Sequence, residues 1–81
     1  MKVKYIGETF GLDGLTNGNT YTVLGIEFGN LRVIDDSGED YLYSASNPAP
    51  MEKDSPGGRW EIVEDENGAL EKALTAILKT A

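Results

Sequence analysis

Two short strand-forming runs flank a polar turn in the middle of the chain, and this arrangement constrains the fold more than any other feature. The runs are residues 31–34 (LRVI) and 41–43 (YLY), and residues 35–40 between them (DDSGED) are typical of a turn. A second turn-forming cluster at 14–19 (GLTNGN) precedes another strand-forming run at 20–26 (TYTVLGI). Because neighbouring strands joined by such short turns pair antiparallel, the sequence predicts a β-meander.

Two further strands are predicted near the ends of the chain. Residues 2–6 alternate between polar and apolar side chains, which is the period of a half-exposed strand. Residues 60–64 (WEIVE) return to a strand pattern, in which Trp60 and Ile62 are expected to point inward and to close the sheet into a small barrel. The predicted core contains eight side chains: Val3, Tyr21, Val23, Ile26, Leu31, Val33, Leu42 and Ile62.

The apolar side chains change face within the second strand. Tyr21 and Val23 share one face, whereas the other face carries Leu24, Ile26 and Phe28. A change of parity next to Gly25 predicts a bulge or a sharp bend, at which a single strand serves two parts of a barrel.

Two connections carry further expectations. Residues 27–30 (EFGN) are expected to turn the chain, with Gly29 and Asn30 able to take left-handed backbone angles. The glycine-rich segment 7–19 is predicted to form a long loop. Three apolar anchors are expected to hold this loop onto the barrel: Phe10, Leu12 and Leu15.

The C-terminal third combines an irregular segment with a helix. Residues 44–59 hold all three prolines and the pair Gly57-Gly58, so they predict a long flexible loop. After a helix start at 65–68 (DENG), apolar side chains recur at helical spacing. The predicted stripe is Leu70, Ala73, Leu74, Ile77 and Leu78. A helix of about twelve residues is marginal alone in water, so it is expected to dock on the barrel; the alternative is that it mediates a dimer.

Composition excludes several functional classes. The chain of 81 residues has no Cys and no His, which excludes the usual zinc sites and a conventional serine triad. Fourteen acidic against seven scattered basic residues give a net charge of −7, which disfavours nucleic acid and anionic membranes and favours a monomer. The N-terminal residues enter a strand pattern with no apolar stretch of signal-peptide length, so a cytoplasmic location is expected.

The densest group of carboxylates in the chain suggests the hypothesis of a metal site. It consists of Asp35, Asp36, Glu39 and Asp40. The EF-hand loop needs a glycine at its sixth position, and Asp40 occupies that position when counting starts at Asp35. Counting from Asp36 places Gly38 at the third position, which should carry a ligand. A polar hairpin turn explains the same residues, so no metal, no cofactor and no catalytic residue is predicted.

Aromatic side chains are numerous for so small a core, and amphipathic rings at a surface are typical of peptide-binding grooves. The predicted partner-binding surface is Tyr5, Phe10, Phe28, Tyr41, Tyr43 and Trp60. The alternative is that these rings fill the ends of the barrel.

The order of elements resembles that of an SH3-like small barrel: a first strand, a long irregular loop, a short diverging turn near 15–24, a hairpin at 31–43 and a final strand. The chain is also similar to small uncharacterised SH3-like proteins of Gram-positive bacteria and their phages, which combine Tyr-Ile-Gly, Leu-Thr-x-Gly-x-x-Tyr and Asp-Asp-Ser-Gly. This resemblance covers residues 3–64 and leaves the helix unmatched. The chain departs from proline-binding SH3 domains at the residues that line their groove. The first strand offers only Tyr5 where such domains carry paired aromatics, and Leu31 opens the strand in which they carry a Trp.

The sequence therefore predicts a mainly β fold, a five-stranded SH3-like antiparallel barrel at 1–65 with a C-terminal helix at 66–81. The leading functional hypothesis is a non-enzymatic module that binds another protein or a peptide. The alternative is a metal-dependent or carboxylate-based enzyme that uses the acidic turn at 35–40.

Overall fold

The computed structural model describes residues 1–10, 13–48 and 57–80. Its elements follow the chain as five strands and one helix: β1 Lys2–Gly7, β2 Thr20–Glu27, β3 Asn30–Ile34, β4 Asp40–Ser44, β5 Gly58–Glu64 and α1 Ala69–Thr80. All the strands pair antiparallel in one sheet with the order β4-β3-β2-β1-β5. The prediction of five antiparallel strands with a C-terminal helix is confirmed.

The bulge predicted beside Gly25 is also confirmed. The N-terminal half of β2 pairs with β1, where Tyr21 lies opposite Val3. The C-terminal half of β2 pairs with β3, and the register shifts between Val23 and Gly25. Leu24 is the extra residue at this shift, which reverses the faces of the side chains that follow it.

The expected closure of the barrel by residues 60–64 is not observed, because the sheet is not closed. Strands β4 and β5 form its two edges, and β5 pairs with β1. The edges are joined instead through a side chain, since the indole Nε1 of Trp60 donates to the carbonyl oxygen of Ser44 over 2.9 Å.

One buried cluster gathers side chains from the strands, the first loop and the helix. Its members are Val3, Tyr5, Leu15, Tyr21, Val23, Leu31, Val33, Ala45, Trp60, Leu70 and Leu74. Five of the eight predicted core residues belong to it: Val3, Tyr21, Val23, Leu31 and Val33. Ile26 is half-buried and packs against the cluster.

The placement of Leu42 and Ile62 in the core was wrong, since their exposed fractions are 42% and 39%. Leu42 lies opposite Arg32, on the outer face of the sheet, because Tyr43 takes the inward position opposite Leu31. Ile62 lies opposite Val3 but belongs to an edge strand, which has a neighbour on one side only.

The glycine-rich loop is anchored as expected where it is described. Leu15 is fully buried, and Phe10 is half-buried against the core. A backbone hydrogen bond from Phe10 N to Leu15 O, 2.7 Å long, brings the two anchors together. The third predicted anchor, Leu12, lies outside the described residues, as does half of the predicted loop at 44–59, namely residues 49–56.

The carboxylate of Asp65 caps the N-terminus of helix α1. Asp65 accepts hydrogen bonds from the backbone amides of Leu70 and Glu71, at 2.8 and 3.0 Å, so it satisfies donors that have no partner within the helix. Burial by itself raises the pKa of Asp65, but the amide hydrogen bonds outweigh it and lower that pKa. Leu70 and Leu74 point into the core, and Ile77 packs against it. The side chain of the predicted Leu78 lies outside the description.

Candidate functional site

Four of the six aromatic residues predicted as a surface come together inside the molecule. The ring centroid of Tyr5 lies 5.8 Å from that of Phe10 and 5.6 Å from that of Trp60. Phe10 in turn meets Tyr43 edge-on at 5.5 Å. Tyr5 is fully buried and Trp60 is 8% exposed, so these two rings pack the interior. The arrangement corresponds to the alternative in which the rings fill the fold.

The polar ends of this aromatic cluster are satisfied internally. The hydroxyl of Tyr5 donates to the backbone carbonyl of Glu8 over 2.6 Å, and that of Tyr43 donates to the carboxylate of Asp35 over 2.6 Å. Burial, together with the hydrogen bond to Asp35, raises the pKa of Tyr43 far above its ordinary value. Both tyrosines therefore stay neutral and act as hydrogen-bond donors.

The other two predicted residues, Phe28 and Tyr41, are exposed. Tyr41 lies on β4 with half of its surface accessible, and its hydroxyl donates to Glu39 over 3.0 Å. Phe28 is 98% exposed, at the tip of the β2–β3 hairpin. Among the described residues, Phe28 is the large apolar side chain with the highest exposed fraction, so folding removes the least of its surface from water.

The backbone at this tip is as unusual as the exposure. Phe28 and Gly29 have φ angles of 50° and 79°, so both central residues of the turn are left-handed, as a type I′ hairpin requires. Of the two residues expected to be able to take left-handed angles, Gly29 takes one, whereas Asn30 begins β3 and has no positive φ. A bulky residue at positive φ is strained, at a cost of roughly 1–3 kcal/mol. The sequence signal for this turn was the short spacing between the strands, because Phe gives no indication of a left-handed angle.

Asp35 is the buried member of the acidic turn, with 6% of its surface exposed. Its carboxylate accepts from the amide and the hydroxyl of Ser37 and from the hydroxyl of Tyr43. Burial raises the pKa of Asp35, but these three hydrogen bonds outweigh it, so that pKa lies below the ordinary value. From the sequence, Asp35 was interpreted only as part of a polar hairpin turn. The spacing Asp-x-Ser, which suits an Asx turn, was the available signal.

Asp36 ties the same turn to the preceding loop. Its two carboxylate oxygens accept from the hydroxyls of Thr16 and Tyr21, each over 2.8 Å. The Tyr21 hydroxyl also accepts from the amide of Thr16, at 2.6 Å. The backbone amide of Asp36 donates to Gly14 O over 2.9 Å. Asp36 is thus a structural link between two connections that are far apart in the sequence.

The remaining acidic side chains of the turn are also engaged. Glu39 accepts from Tyr41, and Asp40 pairs with Arg32 at 3.0 Å. Arg32 is shared with Glu27, to which its Nε donates over 2.5 Å. Within residues 1–10, 13–48 and 57–80, no group of three or more acidic side chains is arranged to hold a metal ion. The geometry assigns these four carboxylates to hydrogen bonds that shape the turn.

Acid is expected to destabilise the fold through Asp35. Because its folded pKa lies below the unfolded value near 3.8, its contribution is complete above that value and is lost as the pH falls through the folded pKa. Asp35→Asn should lower the melting temperature at neutral pH and should flatten its fall in acid. Thermal unfolding followed by circular dichroism from neutral pH to about pH 2 measures both effects.

Asp13→Asn is the matched control for Asp35→Asn, since it removes the same charge from an exposed side chain. A melting curve of Asp35→Asn with the full acid sensitivity of the wild type would contradict the assignment.

None of the described helices is long and apolar enough to span a membrane. Comparison of the chain with protein-family models, with curated proteins and with solved structures finds no match. The candidate site is therefore defined by geometry, and it centres on the Phe28 hairpin tip.

Proposed function

We propose that this protein is a non-enzymatic interaction module that binds another protein or a peptide, with Phe28 as its anchor. A single observation supports the proposal: Phe28 is 98% exposed and has a left-handed backbone. A single exposed apolar side chain is common. One with a strained backbone lowers the stability of the fold, and the exposed ring of Phe28 makes no buried contact in this molecule that would offset the loss. Outliers of this kind cluster at functional sites.

The gain from binding is large enough to offset this cost. Moving a Phe side chain from water into an apolar pocket is worth roughly 1.5–3 kcal/mol. The hairpin tip is also well supported, because Ala45 N donates to Gly29 O over 3.1 Å and the Arg32–Glu27 pair lies behind the turn. A rigid support lowers the entropy lost when an anchor docks.

The charge of the module indicates the chemistry of its partner. With a net charge of −7, it attracts a partner whose pocket for Phe28 is rimmed by basic groups, and it repels nucleic acid and anionic membranes. The same charge opposes self-association, which favours a monomer. A cytoplasmic location belongs to this proposal.

We further propose that the fold is an SH3-like barrel with a loose seam between β4 and β5. The five-strand antiparallel order, the bulge in β2 and the Trp60–Ser44 bond across the edges support this assignment. The similarity to small SH3-like proteins of Gram-positive bacteria and their phages belongs to the same proposal. Fold alone confers no function, so the functional proposal rests on Phe28.

The substitution Phe28→Asn separates folding from binding. Asn-Gly is the preferred pair for a type I′ turn, so the variant is expected to melt at a higher temperature than the wild type. Its affinity for the partner should fall about tenfold to a hundredfold, as expected from the loss of a buried Phe. Quantitative capture from an extract of the source organism identifies the partner, and titration of that partner measures the affinities.

Val63→Thr is the matched control for Phe28→Asn. Val63 is 56% exposed on β5, far along the chain from the hairpin, and Thr retains its β-branched shape. This variant should capture the same proteins as the wild type. If Phe28→Asn also binds them with unchanged affinity, Phe28 is not the anchor.

A further inference from the structure

We propose that Asn67 is a site of spontaneous deamidation, while the second Asn-Gly pair of the chain, at Asn17, is protected by the fold. Both sequences are Asn followed by Gly, at 17–18 and 67–68. A glycine on the C-terminal side leaves the attacking amide unhindered, since Gly has no side chain. The two pairs therefore share intrinsic reactivity and differ in their surroundings.

The reaction needs two groups of the chain and water. The backbone nitrogen of Gly68 loses its proton to water or hydroxide and attacks Cγ of Asn67. A new N–Cγ bond closes a five-membered succinimide while the Cγ–Nδ2 bond breaks, and ammonia leaves with the proton it needs. Water then opens the ring at either carbonyl, which gives Asp or isoaspartate without any change of oxidation state.

Asn17 and Gly18 are both held away from this path. The carboxamide oxygen of Asn17 accepts from the amide of Gly7 at 3.1 Å, and its backbone amide donates to Thr9 at 3.2 Å. The amide of Gly18, which would be the nucleophile, donates to Tyr5 O over 2.8 Å. Cyclisation at Asn17 must break these bonds, and so it needs an opening of the loop from β1.

The carboxamide of Asn67 and the backbone amide of Gly68 lack such restraints. Asn67 is exposed, and among residues 57–80 neither its carboxamide nor the backbone amide of Gly68 forms a hydrogen bond. The turn is closed by a bond from Ala69 N to Glu66 O at 3.0 Å, and Gly68 O accepts from Lys72 N at 3.0 Å, but neither bond engages the amide nitrogen of Gly68. Both residues are left-handed, with φ angles of 53° and 76°. The left-handed backbone of Asn67 costs free energy in the folded protein, and opening of the turn removes that cost.

The isoaspartate product would disturb the start of α1. It adds one methylene to the backbone between the cap residue Asp65 and the amides of Leu70 and Glu71 that this carboxylate binds. Leu70, the second residue of α1, is fully buried, so a displaced cap loosens a core contact. Deamidation at Asn67 thus acts as a clock: as the protein ages, it slowly and irreversibly weakens the packing of the helix against the core.

Ageing the full-length protein tests the proposal. The wild type is incubated in mildly alkaline buffer, folded and in concentrated urea, and peptides containing residue 17 or 67 are followed by mass spectrometry. In urea the two sites should react at similar rates. In the folded protein, Asn67 should react at least about tenfold faster than Asn17, because local opening limits the latter. Equal rates at both sites in the folded protein, or a faster reaction at Asn17, would overturn the proposal.

The variant Asn67→Asp separates charge from backbone lengthening. Freshly prepared, it carries the charge of the product with a normal backbone, and it should melt close to the unaged wild type. Aged wild type, enriched in isoaspartate, should melt at a lower temperature than either. If the aged protein and Asn67→Asp have the same melting temperature, the helix does not depend on this backbone and the role as a clock is wrong.

Discussion

Replacing Val33 by Asp is expected to unfold the protein. Val33 is fully buried on β3, between Val23 on β2 and Tyr41 on β4. An ionised carboxylate at that position has no cation among the core side chains, and burying it unpaired costs several kcal/mol. The total stability of an 81-residue domain is roughly 4–12 kcal/mol, so most or all of it is lost. Far-ultraviolet circular dichroism and one-dimensional proton spectra measure the result.

The neighbouring substitution Ile34→Asp is a matched control for Val33→Asp. Ile34 follows in the same strand but points to the opposite face, and it is 36% exposed. An Asp there keeps contact with water and should leave the protein folded with a modest loss of stability. A Val33→Asp protein that melts cooperatively near the wild-type temperature would show that the assigned inner face of β3 is wrong.

Gly58→Ala is the second substitution with a large expected effect. Gly58 lies opposite Gly7 where β1 and β5 meet, and a methyl group there would overlap the carbonyl oxygen of Pro48. It would also lie 3.0 Å from the ring of Tyr5 and 3.1 Å from the carbonyl oxygen of Ile6. Two of these neighbours are backbone atoms, so the strands or the 45–48 segment must shift. Overpacking of this kind costs about 1–3 kcal/mol or more.

Thermal unfolding checks the effect of Gly58→Ala, since about 4–8 °C is lost per kcal/mol in a domain of this size. Gly25→Ala is its control, because Gly25 lies in another strand, has no positive φ and has no atom within 4 Å of the added methyl. Equal melting temperatures of the two variants would mean that the close approach at Gly58 is absent in solution.

The strands could be predicted from sequence because period and turn chemistry are local properties. The bulge at Gly25 followed from the parity of Val23 and Leu24, and the stripe of Leu70 and Leu74 placed the helix. The errors concern long-range geometry. Whether β5 closes the sheet depends on the curvature of five strands together, which no single segment encodes. The exposure of Ile62 follows from the same edge position.

The candidate site was only partly accessible to sequence reasoning. The list of six aromatics contained Phe28, but composition does not distinguish a ring that packs inside, such as Tyr5, from one at a hairpin tip. The buried role of Asp35 was missed, because its partner Tyr43 lies eight residues away and the bond exists only once β4 has paired with β3. Such side-chain pairs are properties of the register, which sequence patterns constrain but do not show.

The indole of Trp60 gives the molecule a built-in optical reporter. It is the single tryptophan of the chain, and it packs against the ring of Tyr5. Trp60 lies on the edge strand β5, and its Nε1 donates a hydrogen bond to the carbonyl oxygen of Ser44 on the other edge strand, β4. Any motion that parts β4 from β5 must break that bond and bring water to the ring. Tryptophan emission therefore reports on the contact between β4 and β5 without a label.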